Sequence, residues 1–204
     1  GKACHPLGGA LYLKQAEGLA RNGKTIRPVT VSARTHEITR LPNYHDAGFI
    51  RTDYHDIEDY GIMHVVFEDG TVADITASEM TLGGLYDYVE VFANNHRTRC
   101  HLSPVHIIDT FNPKAEQFKD IYTIEKTSTK EGWSPSADEN FTEGYLAEMQ
   151  DFITCAAEKT QPQSGLQIAL DTTATIYAAY LSAQNNGQET NIPVQTEMNI
   201  LQND

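Results

Sequence analysis

The sequence is short of cysteine, of positive charge and of long apolar runs. Its three cysteines, Cys4, Cys100 and Cys155, lie far apart and form no Cys-x-x-Cys pair, so they predict reduced thiols rather than a disulfide framework. The formal net charge of −13 argues against binding to nucleic-acid phosphates or to anionic membranes. No apolar run approaches the roughly 20 residues of a transmembrane helix, and no basic-then-apolar leader precedes the first helix. We therefore expect a cytoplasmic protein with no nucleic-acid or membrane partner, and an exported form stays open if a leader lies outside this sequence.

Several common catalytic motifs are also missing. The sequence contains no Gly-x-Gly-x-x-Gly turn, no phosphate-binding loop, no Gly-x-Ser-x-Gly elbow and no Cys/His pair at zinc-ligand spacing. The tripeptide Glu-Lys-Thr at 125–127 has polar flanks and follows no nucleotide-binding unit. We therefore expect no cofactor-binding residue and no metal site within this chain.

The first half of the chain alternates between helical and extended patterns. Apolar residues at helical spacing predict a helix over about 6–21, which the Asn22-Gly23 dipeptide ends. Alternating β-branched residues predict a strand over 26–38, followed by a loop over 39–56. The clearest local signal is a hairpin whose two alternating runs meet at Asp69-Gly70, a dipeptide that accepts positive φ.

The second half of the chain continues with short strands and ends with two helices. The predicted pieces are strands over 86–94, 97–103, 105–111 and 121–126, a helical piece over 113–120, and a polar loop up to Asn140. Asn140 with Glu143, and Ser164 with Gln167, form the pattern of a capping box at the starts of the two closing helices. The second closing helix carries an apolar stripe of Leu166, Leu170, Thr173, Ile176, Tyr177 and Tyr180, and Gly187 ends it.

This order of elements predicts the fold class. A helix, a series of hairpin-connected strands and two more helices are typical of an α+β fold, with an open, predominantly antiparallel sheet and helices packed on one face. No linker, repeat or low-complexity tract divides the chain, so we expect one domain over 1–204. In the hairpin, Met63, Val65 and Phe67 lie on one face of the strand and Ile62, His64 and Val66 on the other. Apolar side chains on both faces predict self-association through the sheet.

The histidines are the candidate chemical groups. His5 lies at the start of the first helix, where the helix dipole and free N–H groups favour a polar or anionic ligand and a neutral imidazole. From physics alone, a functional acid/base and an ordinary helix-start residue are about equally supported. His45 and His55 lie in the polar loop beside aspartates, where they fit a metal or polyol site and, more simply, a solvated loop. Four other histidines lie within strand-like runs and are interpreted as structural, hydrogen-bonded residues: His36, His64, His101 and His106.

Three stretches of the sequence resemble one family in the same order. They are "ACHPLGGALYLKQAEG", "IEDYGIMHVVFEDGTVADITASEM" and "GYLAEMQDFITCAAEKTQPQSGLQIALDTTATIYAAYLSAQNNGQETNIP". Together they resemble the C-terminal domain of the glucose–fructose oxidoreductase / inositol dehydrogenase / MocA family, without its N-terminal Rossmann domain. The resemblance implies that NAD or NADP is bound mainly by that absent domain, and that the isolated chain is inactive.

The resemblance also implies a site. His5 matches the family's active-site histidine, which exchanges a proton with a sugar or polyol hydroxyl. Gly1 and Gly8 stand where the family's common pattern has aspartates. Further candidates for contacting the substrate, from the loop and the adjacent strand edge, are Tyr54, His55, Glu58 and Asp59. Lys14, more than two turns along the first helix, is expected to form a structural ion pair.

The predicted function is therefore that of a substrate-binding and oligomerisation domain. The parent protein would be an NAD(P)-dependent oxidoreductase that transfers hydride to or from a secondary alcohol carbon of a sugar or polyol. Two alternatives stay open: a redox-neutral glycoside hydrolase that uses bound NAD, and a non-enzymatic sugar-binding or assembly module. The retained His5 favours an enzyme, whereas the glycines in place of carboxylates favour a module.

Overall fold

The computed structural model describes residues 2–48, 50, 52–53, 55–80, 87–101, 108–112, 132–135 and 145–194. The described helices and strands are, in chain order, α1 Cys4–Asn22, β1 Pro28–His36, a 3-10 turn Ile38–Arg40, β2 Tyr60–Phe67, β3 Val72–Ser78, β4 Tyr88–Phe92, β5 Arg97–His101, β6 Ile108–Asn112, β7 Gly132–Pro135, α2 Tyr145–Glu158, α3 Leu166–Gln184 and β8 Thr190–Asn191. They fall into two compact units: unit 1 contains residues 1–82 and 163–204, and unit 2 contains residues 83–162. The interpretation of 1–204 as one functional domain stays a prediction.

Unit 1 is built on a four-stranded antiparallel sheet in the order β3-β2-β1-β8. Its centre is fixed by a register in which Val65 of β2 pairs with Val31 of β1 on one side and with Ala73 of β3 on the other. The β2–β3 turn is the predicted one. Gly70 has φ of +79°, and the Asp69 carboxylate accepts hydrogen bonds from the backbone N–H and the hydroxyl of Thr71 at 3.1 and 2.7 Å.

Helices α1 and α3 pack together on one face of this sheet and enclose the core of unit 1. The predicted end of α1 is confirmed, because Gly23 adopts a left-handed conformation with φ of 68° and donates its N–H to the Leu19 carbonyl at 3.2 Å. The largest completely or almost completely buried side chains come from both layers: Leu7, Val31, Val65, Phe67, Thr175 and Ser182. The Ser182 hydroxyl accepts the Ala33 N–H at 2.9 Å, so the close contact of α3 with β1 includes a buried hydrogen bond.

Unit 2 contains a second four-stranded antiparallel sheet in the order β4-β5-β6-β7, followed by α2. Both described sheets are antiparallel and open, and helices cover one face of the sheet in unit 1. The predicted α+β class is therefore confirmed. The predicted helix over 113–120, the strand over 121–126, the Asn140–Glu143 capping box and His106 lie outside the described residues.

Two local expectations were wrong. The stretch 132–135, interpreted as part of a polar loop, is strand β7, because its backbone pairs with β6 although its Gly and Pro ends disfavour a strand. Helix α3 has no capping box, because it begins at Leu166 with Gly165 as its N-cap. The Gln167 side chain instead donates to Asp171 at 3.1 Å.

The predicted apolar stripe of α3 is divided between the core and the surface, because Ile176 packs against the buried cluster whereas other members are exposed. The buried face of the helix consists of Ile168 and of small or polar residues, among them Asp171, Ala174 and Ala178. Leu166 and Tyr177 of the predicted stripe are 51% and 72% exposed. The small residues are buried because they let the helix backbone approach the sheet closely.

Candidate functional site

A small cleft lies beside the start of α1 in unit 1. It is lined by Lys2, Glu58, Asp59, Tyr60, Ala77, Ser78 and Glu79, and its volume of about 10 Å³ holds roughly one water molecule. The Lys2 ammonium lies 3.5 Å from a carboxylate oxygen of Glu79 and ties the chain before α1 to the end of β3. The cleft therefore brings together two of the sequence-predicted site residues, Glu58 and Asp59.

Asp59 has a structural task in this cleft. It is 3% exposed, and its carboxylate accepts hydrogen bonds from the N–H of Ile38 at 2.8 Å, the N–H of Thr39 at 2.7 Å and the Thr39 hydroxyl at 2.6 Å. Burial by itself raises the pKa of Asp59, but the hydrogen bonds from Thr39 and Ile38 outweigh it and lower that pKa below its ordinary value. The carboxylate therefore stays ionised and caps the 3-10 turn.

Glu58 is connected to α3. The Tyr180 hydroxyl donates to a carboxylate oxygen of Glu58 at 2.9 Å. Burial and this carboxylate raise the pKa of Tyr180 to about 12, so the phenol remains a proton donor at neutral pH. Sequence analysis missed Tyr180 as a partner of the site, because the two residues are 122 positions apart and no local pattern links them.

His5 lies inside the first turn of α1, which begins at Cys4, two residues before the predicted start at about residue 6. Helix α1 begins at Cys4, and the N-cap Ala3 provides no side-chain hydrogen bond. The fully buried Leu7 anchors this turn, whereas the His5 side chain is exposed. The backbone N–H of His5 donates to the carbonyl of Lys2 at 3.3 Å, so the turn that carries the imidazole is joined to a residue of the cleft. His5 itself is not among the lining residues.

The other loop candidates are not brought to the cleft. His55 is exposed and does not line it, and Tyr54 lies outside the described residues. Asp46, beside His45, accepts hydrogen bonds within its own loop from the Gly48 N–H at 2.7 Å and the Thr52 hydroxyl at 3.4 Å. Among the residues that the structure describes, no group of three or more His, Cys, Asp or Glu side chains is arranged to hold a metal ion.

The structural interpretations of Lys14 and His64 are confirmed. Lys14 lies 2.5 Å from Glu17 on its own helix and 2.9 Å from Asp69 in the β2–β3 turn. On the open face of the sheet, His64 Nδ1 lies 2.6 Å from an Asp74 carboxylate oxygen. Neither residue therefore needs a ligand to explain its position.

The described residues do not fit a dinucleotide cofactor. Dinucleotides bind where a parallel strand leads through a glycine-rich turn into a helix, and all pairings between the described strands are antiparallel. The described parts also contain no helix that is long and apolar enough to cross a membrane.

Comparison with known proteins finds similarity in fold alone. No protein-family model and no curated protein sequence matches the chain. Among solved structures, the chain is similar to an aldose-aldose oxidoreductase from Caulobacter crescentus complexed with glycerol, with 14% identity, a TM-score of 0.59, and coverage of 93% of this chain and 45% of that one. A levoglucosan dehydrogenase in complex with NADH and levoglucosan is 14% identical, with a TM-score of 0.55 and coverage of 93% and 51%. An oxidoreductase domain protein from Kribbella flavida is 15% identical, with a TM-score of 0.55 and coverage of 83% and 47%.

These matches confirm the resemblance at the level of fold. The three similar structures are described as oxidoreductases or a dehydrogenase, and the chain spans about half of their length. A match to about half of each longer chain agrees with a fold that forms one part of such a protein.

Proposed function

We propose that the chain is the substrate-binding and oligomerisation domain of an NAD(P)-dependent oxidoreductase that acts on a sugar or polyol. The shared fold supports the class of enzyme, and the half-length match supports the role of one domain within a longer protein. Two of the similar proteins were solved with glycerol or levoglucosan, which supports a polyhydroxylated substrate. NAD(P), held outside the described residues, would supply the hydride chemistry.

The observation that carries the proposal is the placement of His5. Its exposed imidazole lies in the first turn of α1, and this turn is held by the buried Leu7 and hydrogen-bonded to Lys2 at the cleft. An imidazole takes up or releases a proton near neutral pH without a large energetic penalty. In oxidation of an alcohol it accepts the hydroxyl proton, and in reduction of a ketone it returns that proton.

Glu58 is the better of the candidate substrate-contacting residues. Its carboxylate lies on the cleft, where the Tyr180 hydroxyl orients it. A carboxylate accepts hydrogen bonds from hydroxyl groups, and a cleft with room for about one water molecule admits a single hydroxyl group of a ligand. Asp59 lies on the same cleft, but its oxygens hold the 3-10 turn. We assign Glu58 to substrate orientation and Asp59 to shaping the cleft, and the contacts of Tyr54 and His55 stay predictions.

The oligomerisation part of the proposal concerns the open face of the unit 1 sheet. Ile62 is 41% exposed and Val72 is 54% exposed, and they share this face with the His64–Asp74 pair. Such mixed apolar and polar surface is typical of interfaces between protein subunits. We therefore infer that a second copy pairs with this face.

The test is His5→Asn in the full-length protein that carries this chain. Loss of a general acid/base lowers turnover by about 10²–10⁴-fold. The dissociation constant of the cofactor should change by less than about threefold, because the cofactor is bound elsewhere. His45→Asn, an exposed histidine in the loop, is the matched control and should leave turnover unchanged. If His5→Asn keeps more than about half of the wild-type turnover, His5 is an ordinary helix residue and the proposal fails.

A further inference from the structure

The sequence contains two Asn-Gly dipeptides, Asn22-Gly23 and Asn186-Gly187, and each lies at the end of a helix. Both glycines have a positive φ, +68° at Gly23 and +78° at Gly187. Asparagine is most prone to lose its side-chain amide when glycine follows it, because no Cβ hinders the next backbone nitrogen and the chain there adopts many conformations. The two dipeptides have the same local chemistry, so a difference in their reactivity comes from the fold.

This loss of the amide, called deamidation, is an intramolecular reaction. The backbone nitrogen of the glycine forms a bond to the asparagine Cγ, the Cγ–Nδ2 bond breaks, and ammonia leaves with the proton that the backbone nitrogen gives up. Water then opens the resulting cyclic imide and leaves aspartate or isoaspartate. The attacking N–H must first leave its own hydrogen bond, so the rate in a folded chain depends on how easily that bond opens.

The fold protects the dipeptide that follows α3. The Gly187 N–H donates to the Ser182 carbonyl at 2.8 Å. Ser182 is completely buried, and its hydroxyl donates at 2.7 Å to the carbonyl of Gln188, the residue after the dipeptide. The Arg34 side chain covers Gly187, since its Nε would lie 2.7 Å from a Cβ added there. Opening the Gly187 amide therefore requires the disruption of a buried, hydrogen-bonded turn.

The dipeptide at the end of α1 is held more weakly. The Gly23 N–H donates to the Leu19 carbonyl at 3.2 Å, the long limit of an amide hydrogen bond, and Leu19 is 52% exposed. Asn22 and Gly23 are both exposed, and nothing lies within 4 Å of a Cβ added at Gly23. Asn22 is the last residue of the helix, and helix ends open more readily than helix interiors. The Gly23 nitrogen therefore becomes free to attack more often than the Gly187 nitrogen.

We propose that Asn22 is a site of spontaneous deamidation in the folded protein, whereas the fold protects Asn186. The product aspartate places a negative charge at the negative end of the α1 dipole. Isoaspartate also adds an atom to the main chain, which moves Gly23 out of its hydrogen bond. The modification therefore loosens the end of α1, next to the place where Gly18 packs closely against the backbone of Lys24. This inference does not depend on the proposed catalytic function.

The test is peptide mapping by mass spectrometry after the full chain is incubated at mildly alkaline pH in water enriched in heavy oxygen. Opening of the imide adds one oxygen atom from water, so the label marks each asparagine that has reacted. The peptide that contains Asn22 should gain label at least about fivefold faster than the peptide that contains Asn186. In concentrated urea both glycine amides are released from their hydrogen bonds, so the two rates should agree within about twofold.

Two variants test the cause of the difference. Arg34→Ala uncovers Gly187 and should speed the reaction of Asn186 while the rate at Asn22 stays unchanged. Asn22→Gln is the matched control and should abolish labelling at position 22 alone, because the longer side chain cyclises far more slowly.

Equal rates at the two sites in the folded chain overturn the proposal, and so does a difference that urea leaves unchanged. A folded chain in which neither site reacts, while both react in urea, overturns the assignment of Asn22. An Asn186 rate that Arg34→Ala does not raise overturns the protection assigned to the fold.

Discussion

The ion pair between Arg27 and Asp171 offers the sharpest test of how unit 1 is held together. Arg27 lies just before β1 and Asp171 lies on the buried face of α3, so the pair joins the sheet to the helix layer. The guanidinium is bidentate: Nε donates to Oδ2 at 3.0 Å and Nη2 donates to Oδ1. The side chains are 19% and 6% exposed. The hydrogen bonds to Asp171 raise the pKa of Arg27 above its ordinary value, so the cation is permanent.

The perturbation is Asp171→Asn, which keeps the shape of the side chain and removes its charge. Removing one partner of a buried pair costs about 3–5 kcal/mol, because the remaining charge stays desolvated. Here Arg27 keeps partial contact with water and a favourable interaction with Glu68, which reduce the penalty. The Asn amide also places its N–H donors against the Arg27 guanidinium, which has only donors and cannot accept a hydrogen bond from them. We therefore expect a loss of about 2–4 kcal/mol in the free energy of unfolding.

The assay is urea unfolding at neutral pH, followed by far-ultraviolet circular dichroism. Glu37→Gln is the matched control, since it removes one charge from the Arg40–Glu37 pair, whose side chains are 39% and 51% exposed. An exposed pair of this kind contributes less than about 1 kcal/mol. If Asp171→Asn changes stability no more than Glu37→Gln does, the pair does not join the two layers and the reasoning is refuted.

Four further predictions concern unit 1. Gly18→Ala should destabilise the protein by about 2–4 kcal/mol, because the new Cβ would lie 2.7 Å from the backbone nitrogen of Ile26. Gly8→Ala, with nothing within 4 Å of its Cβ, should stabilise α1 by up to about 1 kcal/mol, and urea midpoints compare the two. Thr175→Val should raise the free energy of unfolding by about 1 kcal/mol, since this buried hydroxyl has no hydrogen-bond partner in the described part of the chain. Burial raises the pKa of Asp69, but hydrogen bonds from Thr71 and Lys14 lower it from 3.8 to about 2. The stability that Asp69 contributes should therefore be complete above pH 3.8 and lost as the pH falls to about 2. Thermal melts should detect this loss in the wild-type protein, and it should be absent in Asp69→Asn.

Elements whose cause is local could be predicted from the sequence. The β2–β3 turn follows from Asp69-Gly70, where glycine alone accepts the positive φ easily, and the end of α1 follows from Gly23 for the same reason. Strand β7 could not be predicted, because its pairing with β6 overrides the weak strand preference of its own residues. Tertiary pairing, and not local sequence preference, therefore determines the conformation of β7.

The candidate site shows the same division. Glu58 and Asp59 were predicted as neighbouring site residues, and the structure does place both on one cleft. Their hydrogen bonds are different, because Glu58 binds Tyr180 on α3 whereas Asp59 caps the turn at Ile38–Arg40. These partners are far away in sequence, so no spacing rule reveals them. The electrostatic state of a carboxylate depends on such contacts, which is why its role requires the fold.

Helix α3 shows the same dependence on tertiary contacts. Amphipathic spacing predicted one apolar stripe that includes Leu166 and Tyr177, whereas close packing on β1 buries Ala174 and Ala178 and leaves those two larger side chains exposed. Water thus meets the apolar side chains of Leu166 and Tyr177, an exposure that depends on which face of α3 packs on β1 and that no local sequence pattern reveals.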